Sequence, residues 1–336
     1  MCRRYRTHRQ DAREAGFGAV EDVAAVSPDT SSRLTGCIAP LVTPFDAEER
    51  IDVAAFEPLV QFLLDGGVSA LMPTALTGEG PLLDPEETVA VWEATFAAAR
   101  GRVPIVPAII ATRTAQAVRL ARRAHDLGAA AVMVAPVVPE LYAGRSRAEV
   151  TGFYQAVAEA TPLPIVLFNY PSLTGVDLTP DFIADLAAID RVRYVKESTA
   201  DSRRVHAIKR RCGDRVEVIC GNPNAALESL ALGCTTWITG VMNVVPRSAA
   251  QLMTAVVVDG DLARARRIYY DGILPLVDLM FQSANPTGTI KAGLRARGVR
   301  VGVPRRPGSD VSTAEASALA AFAARVAAAE DAGYSG

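Results

Sequence analysis

Lysine is scarce in this chain of 336 residues. Of its 35 basic residues only three are lysines, Lys196, Lys209 and Lys291, and the rest are arginines. The 37 acidic residues bring the net charge to −2. A dedicated nucleic-acid-binding protein would normally present a strongly basic face, so this balance argues against a nucleic-acid partner. Because the chain almost always uses arginine, each lysine position needs its own explanation.

Cysteine and histidine are also few, with five of the one and three of the other. The cysteines form no CxxC pair, and no histidine stands near them at the spacing of metal ligands. We therefore predict no metal ion and no organic cofactor. The odd, scattered cysteine count is typical of a reducing cytoplasm. No apolar run approaches the ~18 residues of a membrane span, so we expect no membrane partner.

Residues 1–33 lack the apolar periodicity of the remaining chain and are rich in arginine. A transit peptide would be basic and poor in acidic residues, yet this segment contains Asp11, Glu14, Glu21 and Asp22. We expect a disordered N-terminal tail. A misassigned start codon and a targeting segment are the two alternatives.

From residue 36 onward, short apolar runs alternate with segments of helical period. Eight such runs are found, at 37–45, 69–75, 103–110, 130–137, 163–171, 192–198, 216–222 and 235–243. Eight strand–helix units predict a (β/α)₈ TIM barrel over residues 34–258. A doubly wound sheet is the main rival, but it usually carries a glycine-rich turn after its first strand, which is missing here. Residues 259–336 are predicted to form C-terminal helices packed on the barrel, at 261–281, 286–297 and 313–331.

The sixth run, VRYVKES, places Lys196 near the end of a predicted strand. Strand alternation would give Val192, Tyr194, Lys196 and Ser198 one face. If that face is the barrel interior, burial lowers the pKa of the lysine, and its neutral amine can attack a ketone. Arginine cannot do this, because its guanidinium stays protonated. The alternative is an ion-paired or snorkelling lysine at a strand end.

Two further segments follow predicted strands. TALTGEGPLLDPEE, at 74–87, combines a glycine-containing turn with a capped helix start, which suits the binding of an anion such as a carboxylate. It is equally compatible with an ordinary loop. LFNYPSLTG, at 167–175, brings the phenol of Tyr170 to the end of the fifth strand, where it could shuttle protons.

Together these motifs, with GN at 221–222 and NPTGTIKAGL at 285–294, resemble the dihydrodipicolinate synthase/N-acetylneuraminate lyase family over roughly residues 34–330. That family comprises class I aldolases on a (β/α)₈ barrel, commonly dimeric or tetrameric. The resemblance implies that Lys196 forms an imine with pyruvate or another 2-oxo acid, and that Leu76, Thr77 and Gly78 hold its carboxylate. We also expect Glu79 and Ile238 at the substrate site, and a homotetramer or homodimer.

Four positions depart from the family pattern. Leu76 replaces one of two hydroxyl residues, and Phe168 stands where the family has a tyrosine. Tyr170, two residues further on, either substitutes for that tyrosine or is merely structural. Val138 replaces a second tyrosine, and Leu173 replaces an arginine that binds the carboxylate of the second substrate. A buried anion without a counter-charge is costly, so we expect a second substrate that is neutral or apolar at its distal end. The alternatives are 4-hydroxy-tetrahydrodipicolinate synthase and a non-catalytic keto-acid-binding barrel.

Overall fold

The computed structural model describes residues 33–136 and 145–334, and its strands form one parallel barrel. The sheet order is β2-β1-β8-β7-β6-β5-β4-β3. A bridge between Leu71 and Ile105 joins the two ends of this order. The predicted (β/α)₈ barrel is therefore confirmed. The strands are β1 Gly36–Pro40, β2 Ala70–Met72, β3 Ala108–Ala111, β4 Val132–Pro136, β5 Ile165–Asn169, β6 Val192–Glu197, β7 Glu217–Cys220 and β8 Thr236–Ile238.

Helices follow the strands on the outside of the barrel, and their first turns carry capping residues. Glu87 accepts a hydrogen bond from the backbone N–H of Asp84 at the start of α2, and Thr179 Oγ1 accepts one from Phe182 N–H at the start of α6. The helices are α1 Phe56–Asp65, α2 Pro85–Ala99, α3 Thr114–Asp126, α4 Arg147–Ala160, α5 Pro171–Thr174, α6 Pro180–Leu186, α7 Arg203–Cys212, α8 Ala226–Ala231 and α9 Pro246–Met253.

The C-terminal part of the chain is helical, as predicted, but the first predicted helix there is not continuous. In place of one helix over 261–281, α10 Leu262–Arg267 and α11 Leu274–Gln282 are separated by a π-helical segment, Ile268–Ile273. Pro275 accounts for the start of α11 at this point. Proline has no backbone N–H to donate, so it fits the first turn of a helix but not the interior. The remaining helices are α12 Pro286–Ala296 and α13 Thr313–Asp331.

Apolar side chains fill the barrel interior in alternation with those that face the helices. Ile38, Met72 and Met133 point inward, and Phe168 and Ile219 join the same buried cluster. Their strand neighbours pack instead against the outer helices. Strands covered on both sides read as continuous apolar runs, which is why the sequence showed eight of them.

Strand β6 departs from the predicted alternation. Ile165 pairs with Val192, but the next residue of β5, Val166, pairs with Tyr194. One extra residue is thus inserted in β6, a β-bulge. Val192 consequently packs in the outer cluster, whereas Tyr194 lies in the interior. The prediction that Val192 shares the face of Lys196 was wrong, because the bulge reverses the alternation between them.

The chain from Leu34 onward forms one compact unit. Of the predicted N-terminal tail, residues 1–32 lie outside the described residues, and the boundary predicted at 258 remains a prediction. Within the part of the chain that the structure describes, no helix is long and apolar enough to cross a membrane.

Candidate active site

A cavity of about 280 Å³ opens at the carboxyl ends of the strands. Barrel residues form its floor, and residues of α11 and α12 form one wall. Its lining comprises Pro40, Ala75, Leu76, Thr77, Met133, Phe168, Tyr170, Lys196, Ser198, Gly221, Asn222, Pro223, Thr239, Gly240, Met280, Phe281, Pro286, Thr287 and Ile290. Catalytic residues of TIM barrels lie at this end, so this cavity is the candidate active site.

Lys196 projects into the cavity from the end of β6 and is 8% exposed. Its Nζ lies 4.5 Å from the centre of the Phe168 ring, which belongs to the neighbouring strand. Burial lowers the pKa of Lys196 from 10.5 to about 8, because the charged form loses its hydration. No carboxylate pairs with its ammonium among the described side chains. The amine is therefore available for nucleophilic attack near neutral pH.

Gly221, at the end of β7, allows the lysine to lie where it does. A Cβ at this position would collide with Ser198 Oγ and would come within 2.9 Å of Lys196 Cγ. The backbone of Gly221 also donates a hydrogen bond to Glu197 O over 2.8 Å. Only a residue without a side chain fits against the base of the nucleophile.

The loop after β2 is a tight turn with two residues in the left-handed region, Thr74 at φ 60° and Glu79 at φ 57°. Thr74 Oγ1 donates to Ala108 O and accepts from Trp92 Nε1, which fixes the start of the loop. A Cβ at Gly78 would come within 2.7 Å of Leu41 O, so the close approach requires glycine there.

Leu76 and Thr77 are the loop residues that line the cavity. Their backbone N–H groups donate no hydrogen bond to the backbone of the described chain. Two such N–H groups beside each other form a site for a carboxylate. The predicted binding of a keto-acid carboxylate by this loop stays a prediction.

Tyr170 lines the cavity immediately after β5, and its ring centre lies 6.0 Å from that of Phe168. Phe168 itself lies beneath the lysine and has no exchangeable proton. The structure thus brings a phenol to the cavity from a position two residues beyond the usual one. Its predicted role as a proton shuttle stays a prediction.

Several predicted site residues lie elsewhere. Gly78, Glu79 and Ile238 do not line the cavity, and Ile238 is fully buried in the barrel interior. Val138 lies outside the described residues, as does the side chain of Leu173. The predicted contacts of these residues with substrate stay predictions.

Sequence reasoning missed Ser198 and the wall formed by the C-terminal helices. Ser198 Oγ is buried, lines the cavity and has no hydrogen-bond partner within the described chain. The sequence showed that Ser198 lies two residues after Lys196 on the same face of the strand. It did not show that the Ser198 hydroxyl has no hydrogen-bond partner within the described chain. Met280 and Phe281 lie more than 80 residues beyond Lys196 along the chain, and no local pattern marks them as cavity residues.

A polar network on the outer side of β5 and β6 fixes the strand ends around the lysine. Asn169 Nδ2 donates to Glu197 Oε2 over 2.8 Å, and Arg204 Nε donates to the same oxygen over 3.1 Å. Arg204 also pairs with Asp177. Asn169 and Glu197 directly follow the paired inward-facing residues Phe168 and Lys196 on β5 and β6, so the network helps to keep these two side chains in register.

Among the described residues, no group of three His, Cys, Asp or Glu side chains is arranged to hold a metal ion. The chemistry proposed for the cavity rests on the amine, the hydroxyl groups and the loop backbone.

The chain is similar to known proteins over most of its length. The dihydrodipicolinate synthetase family matches residues 33–326. The 4-hydroxy-tetrahydrodipicolinate synthase of Sorangium cellulosum is 37% identical over 276 residues, which cover 82% of this chain and 90% of the relative. That of Syntrophus aciditrophicus is 35% identical over 263 residues, covering 78% and 88%.

A solved structure shares the fold. The chloride-inhibited dihydrodipicolinate synthase of Acinetobacter baumannii, complexed with pyruvate, superimposes with a TM-score of 0.81 at 28% identity, covering 88% of this chain and 99% of that one. The family match extends over most of the chain and includes β6 with Lys196, the loop after β2 and α12. This chain therefore belongs to the dihydrodipicolinate synthetase family, which confirms the predicted family and the predicted class of enzyme, a Schiff-base-forming lyase or synthase.

Proposed function

We propose that the cavity condenses, cleaves or dehydrates a 2-oxo acid through an imine on Lys196, with pyruvate as the first substrate. The observation that carries this proposal is the buried, unpaired amine at the carboxyl end of β6, whose pKa is lowered to about 8. The Acinetobacter baumannii relative was solved with pyruvate, which supports the choice of keto acid.

The reaction begins when the neutral amine of Lys196 attacks the ketone carbon. The C–N bond forms, the carbonyl π-electrons move to oxygen, and proton transfer from nitrogen to oxygen gives a neutral carbinolamine. Protonation of its hydroxyl group and loss of water then give the protonated imine. Loss of a proton from the adjacent carbon yields an enamine, which can attack an aldehyde.

Hydroxyl groups around the amine are placed to move these protons. Tyr170, Thr77 and Ser198 all line the cavity, and a positioned acid or base contributes ~10²–10⁴-fold to such steps. We assign the relay to Tyr170 first, because a phenol is the most acidic of the three groups. Thr77 and Ser198 can hydrogen-bond the carboxylate and the carbinolamine, respectively.

The second substrate is proposed to be neutral or apolar at its distal end. Lys196 is the only charged residue in the described lining of the cavity, and the positive charge of its protonated imine is offset by the carboxylate of the keto acid itself. Met280, Phe281, Pro223 and Ile290 supply an apolar wall instead. A second carboxylate would be buried there without a counter-charge, which is unfavourable.

The test of the first step is borohydride reduction in the presence of pyruvate, followed by peptide mass analysis. We expect a reduced pyruvate adduct on the peptide that contains Lys196. Lys196→Arg is the matched control, because it keeps the charge but cannot form an imine, and it should give no adduct. If Lys196 stays unmodified with every 2-oxo acid of a panel, the proposed reaction is wrong and the chain is a non-catalytic keto-acid-binding barrel.

The second candidate is 4-hydroxy-tetrahydrodipicolinate synthase, the name that the curated relatives carry. The two candidates differ in the aldehyde that they accept. Pyruvate turnover should be measured with aspartate semialdehyde and with uncharged aldehydes of similar length. We expect the uncharged aldehydes to be preferred, and a preference for aspartate semialdehyde would establish the second candidate.

We further propose a homotetramer or homodimer that works in the cytoplasm. The family resemblance supports the oligomer, and the scattered thiols support a reducing compartment. The four cysteines within the described residues are free and buried. Sedimentation of the full chain would test the oligomeric state, and a monomer at micromolar concentration would contradict it.

A further inference from the structure

Lys291 is a second buried lysine, and the reaction proposed above does not use it. It lies on α12, is fully buried, and its Nζ lies 2.6 Å from Glu79 Oε1. It also donates to Val303 O over 2.9 Å and lies 4.4 Å from the centre of the Phe45 ring. Burial of a charged pair is costly unless both groups are fully satisfied, so its presence calls for an explanation.

Glu79 is the partner through which Lys291 reaches the cavity. It lies in the loop of residues 74–80, two residues after Thr77, and holds the left-handed conformation. Its second oxygen, Oε2, accepts a hydrogen bond of 2.8 Å from the backbone N–H of Arg305. The C-terminal region therefore contacts both oxygens of the Glu79 carboxylate. The backbone of Glu79 lies at the end of the turn that is proposed to bind the substrate carboxylate.

The same helix contacts the turn at a second point. A Cβ at Gly240 would come within 2.8 Å of Ile290 Cδ1 and 3.0 Å of Thr77 Oγ1. Thr77 and Ile290 thus press against the same glycine, and both line the cavity. Ile290 immediately precedes Lys291, so a shift of α12 would move the ion pair and this contact together.

Arg305 completes the connection. Its guanidinium forms two hydrogen bonds of 2.7 Å with the carboxylate of Glu87 on α2, and it lies over the same Phe45 ring as Lys291. The segment that holds Glu79 Oε2 is thereby fixed to the helix that follows the loop.

We propose that Lys291 is a positioning residue, which sets the N–H groups of Leu76 and Thr77 for the keto-acid carboxylate by its ion pair with Glu79. This role rests on the proposed function of the cavity. Since the ion pair does not touch the reacting carbonyl, its loss should weaken pyruvate binding more than it slows the later steps.

The decisive variant is the pair Glu79→Gln with Lys291→Met, which removes both charges. Lys291→Met alone leaves the carboxylate buried and unpaired and should be strongly destabilised, but the double variant should regain much of that stability. We expect the pyruvate concentration for half-maximal borohydride trapping to rise roughly tenfold in the double variant, since small misplacements of positioning groups are costly. The KM for the aldehyde should change less than twofold.

A merely structural role would give another pattern. Pyruvate affinity would then fall only in the destabilised single variant. It would return to the parent value in the double variant, whose stability is largely restored, and this result would overturn the proposal. Lys209→Met is the matched control, because Lys209 is exposed and its ammonium donates, within the described part of the chain, to Gly233 O alone. If the parent chain itself forms no adduct, the proposed function fails. If the parent forms it and the double variant binds pyruvate equally well, only the role of Lys291 fails.

Discussion

Replacing Lys196 with methionine is expected to abolish imine formation and to stabilise the fold at the same time. Methionine has nearly the length of lysine and no charge, so it removes the desolvated ammonium without leaving a cavity. The pKa of Lys196 is about 8 in the folded protein and 10.5 for the free side chain. At pH 7 these two values correspond to a cost of about 3 kcal/mol for keeping the ammonium buried.

The gain in folding stability of Lys196→Met over the parent changes with pH in one direction. Because the folded pKa is the lower one, the unfolded chain binds more protons between pH 8 and pH 10.5, and the parent gains stability as the pH rises through that range. The advantage of Lys196→Met should therefore fall from about 3 kcal/mol at pH 7 to about 1 kcal/mol at pH 10.

Urea unfolding of the parent and the variant at both pH values measures these differences. Lys209→Met serves as the control and should change stability by less than about 0.5 kcal/mol, as exposed substitutions usually do. A Lys196→Met variant that is less stable than the parent at pH 7, or whose advantage does not depend on pH, would refute the reasoning that the lysine is held in a desolvated state.

Three further predictions concern adduct formation and turnover. The rate of pyruvate-dependent trapping should fall tenfold for each pH unit below about 8 and level off above it, because only the neutral amine attacks; a midpoint near 10.5 would contradict the lowered pKa. Tyr170→Phe should retain the borohydride adduct and lose roughly 100-fold in turnover, and a loss of only a few-fold would remove the phenol from the relay. Gly221→Ala should reduce adduct formation by roughly tenfold or more, because its Cβ would displace the base of the lysine. Gly152→Ala, whose Cβ meets nothing within 4 Å, is its control, and equal activity of the two variants would show that the contact at Gly221 is unimportant.

The fold was largely predictable because its signals are local. Each buried strand is a short apolar run, and helix starts such as Asp84-Pro85 and Thr179-Pro180 carry their own capping chemistry. The π-helical break at Ile268–Ile273 was not predictable, since it depends on how α10 and α11 pack and leaves the apolar period nearly unchanged.

The site was predictable where chemistry depends on one residue type and hidden where it depends on distance along the chain. Lys196 stood out because arginine cannot perform its reaction. The expected place of Glu79 at the substrate site stays a prediction, and its carboxylate pairs with Lys291, a contact that was not predicted. That contact joins residues more than 200 positions apart, and no pattern in either segment announces it. The same holds for Met280 and Phe281 in the cavity wall.

The extra residue in β6 separates the two ends of that strand. Counting from Val192, strict alternation would turn Lys196 toward the outer helices, whereas the bulge turns it inward. The direction of the amine is therefore set by the last residues of the strand alone. The bulge can accommodate changes of length or register at the N-terminal end of β6, which lies away from the cavity. The first residues of this strand can therefore vary without changing the direction of the Lys196 side chain.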